Sequence, residues 1–99
     1  MIKKRYVKSR NVTKIVFEHP ASVQADAIEL IADRHDWRPV AFDRLKNGRW
    51  KLVQELAPGT DMQFRYRVRK GGDVAYWNDG DADGVVPNGH GTQNAVVAG

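Results

Sequence analysis

Residues 61–70 read DMQFRYRVRK and alternate between polar and apolar side chains from Asp61 to Arg69. The apolar members are Met62, Phe64, Tyr66 and Val68, and the positions between them carry glutamine and arginine. A period of two is that of a β-strand with one buried face and one solvent-facing face. We therefore expect a strand here, with Arg65 on its solvent-facing side.

Turn signals divide the rest of the chain into further short strands. Asn47-Gly48, residues 57–60 and residues 70–73 are rich in the residues that favour tight turns. The remaining predicted strands are Thr13–Glu18, Asp26–Ala32, Arg49–Leu56, Val74–Trp77 and Ala95–Val97. Asp26–Ala32 has a composition that also suits a helix, but its short length favours a buried strand. Six or seven short strands without a convincing helix predict an all-β sandwich.

The same alternation predicts which side chains form the core of this sandwich. The expected core residues are Ile15, Phe17, Leu30, Trp50, Leu52, Phe64, Tyr66 and Val96. A chain of 99 residues has room for one such core, so we expect a single domain.

Positive charge is concentrated at the start of the chain. Six lysines and arginines precede the first acidic residue, Glu18, and the remainder holds ten basic against twelve acidic residues. We therefore separate a basic N-terminal arm, residues 1–11, from the module at residues 12–99. Such an arm contacts nucleic acid or a membrane surface, or is a solvated terminal segment. Tyr6 and Val7 indicate that part of it is a strand.

Several classes of chemistry have no support in the sequence. The chain has no cysteine, which excludes disulfides, thiol catalysis and cysteine–zinc sites. It has no signal-peptide pattern and no apolar run of membrane-spanning length, so we expect a cytoplasmic location. The three histidines fall in predicted turns or loops, and no serine or carboxylate pair has catalytic spacing. We expect neither catalysis nor a cofactor.

Residues 79–84 resemble the opening of a calcium-binding loop. Acidic residues occupy the first, third and fifth places and glycine the sixth. The twelfth place, where a glutamate would complete the site, holds His90. A polar surface loop is therefore the favoured interpretation, and we predict no metal site.

The three tryptophans differ in their predicted settings. Trp50 falls on the buried face of its strand, whereas Trp37 lies in a loop and Trp77 at a strand end. The latter two either cap the core or form a platform for sugar. Indole rings stack on the apolar faces of sugars, and amides and guanidinium groups hydrogen bond to the hydroxyls.

Six short motifs in order carry a family resemblance across about residues 12–97. They are Asp36-Trp37, Asn47-Gly48-Arg49-Trp50, Leu56-Ala57-Pro58-Gly59, Phe64-Arg65-Tyr66-Arg67-Val68, Trp77-Asn78-Asp79 and Gly91-Thr92-Gln93-Asn94-Ala95-Val96-Val97. In these motifs the chain resembles the isoamylase N-terminal, or early set, domain, which is carbohydrate-binding module family 48. That family includes the glycogen-binding domain of the AMP-activated kinase beta subunit. It also includes modules attached to glycoside hydrolase family 13 enzymes.

The resemblance implies an immunoglobulin-like β-sandwich that binds α-1,4-linked glucan, such as glycogen or starch, without catalysing a reaction. The sugar-contacting residues that it implies are Trp37, Arg65, Trp77, His90, Thr92 and Asn94. In this scheme His90 stands where a leucine of the family inserts into the ring of a cyclic glucan.

Two other functions are compatible with the sequence. The same fold could dock on a carbohydrate-active enzyme or a kinase without binding sugar. A third hypothesis is nucleic-acid binding through the basic arm and the arginines of residues 61–70. Its signature would be a steep dependence of affinity on salt.

Overall fold

Two antiparallel β-sheets form a sandwich in the computed structural model, which describes residues 1–89 and 91–99. The strands in these ranges are β1 Ile2–Val7, β2 Val12–His19, β3 Ala27–Ala32, β4 Val40–Ala41, β5 Asp43–Arg44, β6 Trp50–Leu56, β7 Asp61–Lys70, β8 Asp73–Trp77, β9 Gly84–Pro87 and β10 Gln93–Ala98. A short 3₁₀ turn, Asp33–His35, follows β3. The predicted immunoglobulin-like all-β sandwich is confirmed, and the segment in question forms a strand, Ala27–Ala32, rather than a helix.

The two sheets differ in size and in their arrangement around β7. The four-stranded sheet has the order β1-β2-β6-β5, and the six-stranded sheet has the order β4-β3-β7-β10-β9, with β8 also paired to β7. Along one edge of β7 lies β3. Along the other edge, β10 pairs with residues 61–64 and β8 with residues 66–70. The strand that the sequence predicts at residues 61–70 is thus β7, and it lies in the middle of the larger sheet.

The core lies between the inner faces of the two sheets and is rich in aromatic contacts. Phe17 of the smaller sheet meets Phe64 of the larger one at 5.2 Å between ring centroids, edge to face. Phe17 also packs edge-on against Tyr66, at 6.3 Å. Edge-to-face geometry places the positive ring edge against the negative ring face, which adds to the benefit of burial. The alternation along β7 therefore anchors the core as predicted.

One predicted core residue is wrong, and one is only partly buried. Val96 pairs with Gln63 on the outer face, whereas Val97 pairs with Met62 and is fully buried. The predicted strand exists, but its buried residue is Val97 rather than Val96. Because side chains alternate between faces, an error of one position moves the predicted side chain to the outer face. Leu52 is partly buried and packs against the core.

The basic start of the chain is a strand of the smaller sheet. Residues 2–7 form β1, which pairs with β2 from Val7↔Val12 to Ile2↔Phe17. Lys4 on this strand forms an ion pair with Asp83 at 2.5 Å. The described part of the chain contains no helix long and apolar enough to span a membrane.

Candidate functional site

Trp37 is presented by an unusual turn at the end of β3. Asp36 and Trp37 have φ values of 54° and 60°, the left-handed region that bulky residues seldom adopt. The turn is held by the Trp37 amide, which donates to the Ala32 carbonyl at 2.9 Å. It is also held by the Asp33 carboxylate, which accepts from the amides of Arg34 and Gln63. A costly backbone conformation kept in place by several bonds is typical of functional positions.

Two further bonds fix this turn to the opposite sheet. His35 Nε2 lies 2.7 Å from Gln54 Oε1, and the Arg34 guanidinium donates to the Glu55 carbonyl at 3.1 Å. Both acceptors belong to β6. The indole of Trp37 remains 43% exposed beside the outer face of the larger sheet. The turn is therefore anchored and its aromatic ring is accessible.

Arg65 lies in the middle of β7 on this same outer face, where the sequence predicts it. It pairs across strands with Ile31 of β3. Its guanidinium carbon lies 5.1 Å from the centroid of the Tyr76 ring, a cation–π contact. Tyr76 belongs to β8 and is 48% exposed. The guanidinium and the phenol ring thus lie against each other at the surface.

Asparagine side chains complete the arrangement from β10 and the turn before it. Asn94 is buried, and its amide donates to Gln63 Oε1 at 3.4 Å. The Asn88 amide donates to the Thr92 hydroxyl at 2.5 Å and to Asn94 Oδ1 at 3.5 Å. Thr92 is exposed, so it lies at the rim of this network. His90, which the sequence predicts as a sugar contact, lies outside the described residues.

These groups enclose an open depression on the outer face, here called the Trp37 depression. It has a volume of about 340 Å³ and is lined by Ile31, Trp37, Arg65, Asn88 and Asn94. Three predicted site residues therefore meet in one place, and Thr92 bonds to a fourth lining residue. The depression combines an aromatic ring, an apolar floor, amides and one cation, which suits a ligand that has both apolar faces and many hydroxyls.

Trp77 does not join this group. It pairs with Tyr66, whose side chain is fully buried, so its indole lies on the core side of the sheet. There its ring is 6.1 Å from that of His19, and 38% of the residue is exposed at the sandwich edge. Because alternate residues of a strand point to opposite faces, it is Tyr76 that shares the face of Arg65.

The sequence analysis does not identify three residues of this surface, Tyr76, Ile31 and Asn88. Only Tyr76 has a local signal in the sequence. Tyr76 follows from the hairpin itself: a two-residue turn at Gly71-Gly72 pairs residue 67 with residue 76. Ile31 and Asn88 carry no such local signal, because their places depend on pairing between distant strands. Asn88 reaches the site since β9 pairs with β10.

The calcium-like loop is engaged in contacts within the protein. Asp79 accepts hydrogen bonds from the Tyr66 hydroxyl at 2.7 Å and from the N-terminal amine at 3.1 Å. Burial alone would raise the pKa of Asp79, but these bonds and one from the Asp81 amide lower it. The pKa of Asp83 is lowered by bonds from Lys4 and the Ala98 amide. In residues 1–89 and 91–99, no group of three or more potential ligands is placed to hold a metal ion.

Comparison with known proteins gives a fold but no family. No protein-family model matches the sequence, and no curated protein matches it. A solved product complex of SpuA, described as a multi-modular glycogen-degrading pneumococcal virulence factor, matches with a TM-score of 0.61 at 15% identity. The catalytic module of SpuA bound to an inhibitor matches with a TM-score of 0.59, also at 15% identity.

Both similarities extend over the whole of this chain but over little of the larger enzyme. The alignments cover 100% of this chain, and 12% and 16% of the SpuA chains. The chain thus spans only a small part of the structures that it matches. At this identity the likeness establishes a shared fold, one that occurs within a glycogen-degrading enzyme.

Proposed function

We propose that this chain is a non-catalytic module that binds α-1,4-linked glucan, of the kind classified as carbohydrate-binding module family 48. The observation that carries the proposal is the Trp37 depression, where an exposed indole, a guanidinium and asparagine amides meet on one sheet face. The fold shared with part of a glycogen-degrading enzyme is consistent with it. The cytoplasmic location remains a prediction from the sequence.

In this proposal the sugar rests on the ring of Trp37 and extends toward Tyr76. A flat aromatic ring offers apolar area at little entropic cost, since few torsions are fixed on binding. Arg65 and Asn94 hydrogen bond to the hydroxyls, and Thr92 contributes at the rim. Tyr76 takes the place that the sequence resemblance gives to Trp77, because Trp77 faces the other side of the sheet.

Calorimetric titration with maltoheptaose tests the proposal, and the chain supplies a matched control. We expect Trp37→Ala to weaken binding by roughly 1–3 kcal/mol, the range for loss of an aromatic anchor. Trp77→Ala removes an indole of similar exposure from the other face, and we expect the affinity to stay unchanged. Intrinsic tryptophan fluorescence should respond to the sugar in the Trp77→Ala variant and much less in Trp37→Ala.

Two results would contradict the proposal. The first is an absence of heat and of fluorescence change in the wild-type protein at millimolar maltoheptaose. The second is equal loss of affinity in both tryptophan variants, which would mean that the Trp37 depression is not the binding surface. Circular dichroism of each variant shows whether it remains folded.

Docking on a protein partner is a second candidate, and strand β8 favours it. All five residues of β8 are exposed, including Val74, Tyr76 and Trp77. Within the described residues β8 pairs with β7 alone, so its other edge has open backbone groups. An open apolar edge is a template for a strand of another chain. A module with this function alone would show no heat and no fluorescence change with maltoheptaose, so the titration of the wild-type protein separates the two candidates.

A further inference from the structure

Two of the three arginines on the outer face of β7 share a single carboxylate, and the third is unpaired among the described residues. Arg67 and Arg69 both lie beside Glu29 Oε1, at 2.9 Å and 3.2 Å. Arg65, two residues further along the same face, forms no ion pair with any residue in 1–89 or 91–99. Arg65 is therefore the arginine of this row that has no carboxylate beside it among the described residues.

The side chain of Arg65 also has a donor that the described protein leaves unused. Its Nε is buried and has no hydrogen-bond partner in the described part of the chain. A buried donor without an acceptor is costly, and the cost is greater for a charged group. The Tyr76 ring supports the guanidinium plane from one side and supplies no acceptor of hydrogen-bond strength. The covered Nε fixes the orientation of the group, and the terminal amino groups of the guanidinium are the donors that remain for a ligand.

The surroundings of Arg65 would accept negative charge. None of the described residues that line the Trp37 depression is a carboxylate: they are one aliphatic, one aromatic, one cationic and two amide side chains. A sugar hydroxyl that accepts from Arg65 brings no countercharge. A phosphomonoester brings a charge of about −1.5 to −2 at neutral pH and three strong acceptor oxygens. Guanidinium is the side chain best matched to such a group, because its planar donors bind phosphate in a bidentate manner.

We propose that the Trp37 depression selects α-glucan carrying a phosphomonoester over the neutral polymer, with Arg65 binding the phosphate. This inference rests on the proposed function, because the glucan chain must lie against Trp37 to bring its substituent to Arg65. It adds a substrate class: phosphorylated storage glucan, recognised by sugar stacking and charge together.

The test compares maltoheptaose with the same oligosaccharide bearing one 6-phosphate, by calorimetry on the full chain. We expect the phosphorylated form to bind roughly tenfold more tightly at low ionic strength, which is equivalent to about 1.4 kcal/mol. Added salt should reduce this ratio, since it screens exposed charges. Glucose 6-phosphate and inorganic phosphate should each bind much more weakly than the phosphorylated oligosaccharide.

Arginine variants identify the residue responsible. In Arg65→Gln the ratio of the two affinities should fall close to one, whatever happens to each affinity. Arg65→Lys keeps the charge and should retain most of the preference. Arg69→Gln is the matched control: it lies on the same strand face, outside the depression and paired with Glu29, and should leave the ratio intact.

The outcomes distinguish a preference for phosphorylated glucan from glucan binding itself. Equal affinity for the two oligosaccharides overturns the inference and leaves glucan binding standing. Binding of neither overturns both. Free phosphate that binds as tightly as the phosphorylated oligosaccharide also overturns the inference, because Arg65 would then be an anion site independent of glucan.

Discussion

Strands β7 and β8 are the two arms of one hairpin, yet they differ in the burial of their side chains. Every second residue of β7 from Met62 to Val68 is buried, whereas no residue of β8 is. Strand β7 has neighbours along both edges, and the smaller sheet covers its inner face. Among residues 1–89 and 91–99, β8 has a neighbour along one edge only. Alternation along a strand therefore decides which side chains share a face. Whether that face is core or accessible surface depends on the neighbouring strands and on whether the opposite sheet covers it.

The largest expected effect comes from emptying the covered face of β7. Phe64→Ala should lower the free energy of unfolding by about 3–5 kcal/mol, because the ring contacts Phe17 and Tyr66 and its removal leaves a cavity. Val74→Ala, on the exposed face of β8, should change it by less than about 0.5 kcal/mol. Urea denaturation measures both. Similar losses in the two variants would mean that β8 is as buried as β7.

The same contrast explains how much of the fold the sequence could predict. Alternation is a local signal, so it correctly predicts a strand over residues 61–70 with Arg65 on the solvent-facing side. The faces of Trp77 and Val96 depend on which residues pair across strands, and a shift of one position moves a side chain to the other face. The left-handed conformation of Trp37 belongs to a turn in which Asp33 bonds to Gln63 and His35 bonds to β6. No local sequence pattern predicts these bonds.

A second prediction concerns His19, which lies where the core ends near Trp77. Its ring packs against Phe42 and Tyr66, at 5.3 Å and 4.4 Å, and its Nε2 has no hydrogen-bond partner within the described residues. Burial, with a smaller contribution from the N-terminal amine, lowers its pKa to about 4, and Asp79 acts in the opposite direction. The folded protein therefore keeps the His19 imidazole neutral at pH values at which the same side chain is protonated in the unfolded chain.

The sign of the pH effect follows from proton uptake. Between the unfolded pKa of about 6.5 and the folded value, the unfolded chain binds more protons, so stability falls as the pH falls. Full stability from this group is present above pH 6.5, and the loss should reach roughly 2–3 kcal/mol near pH 4. In His19→Leu, denaturation midpoints measured across this range should lose most of that slope. An unchanged slope would place the proton uptake at another group.

The third prediction compares adjacent residues on the two faces of β8. Tyr76→Ala should weaken maltoheptaose binding by roughly 1 kcal/mol, because the guanidinium of Arg65 loses the ring that supports it. Tyr76→Phe keeps the ring and should bind nearly as well as the wild type. Calorimetry on these two variants beside Trp77→Ala distinguishes the faces. A greater loss in Trp77→Ala than in Tyr76→Ala would contradict the register seen here.

The last prediction concerns the turn that sets this register, and it includes the substitution with the smallest expected effect, Gly71→Asn. Gly71 and Gly72 have φ values of 57° and 89°, both in the region that favours glycine, as in a type I′ hairpin turn. A Cβ at either position would meet nothing within 4 Å, so the cost of substitution is one of backbone conformation alone. Gly72→Ala should therefore lower the free energy of unfolding by about 1 kcal/mol. Gly71→Asn should be nearly neutral, since asparagine tolerates the left-handed region.

Nuclear Overhauser contacts between residues 66 and 77 report the register directly, and we expect them in both variants. Their loss in Gly71→Asn would show that the turn does not tolerate asparagine and that the face on which Tyr76 lies depends on glycine at this position.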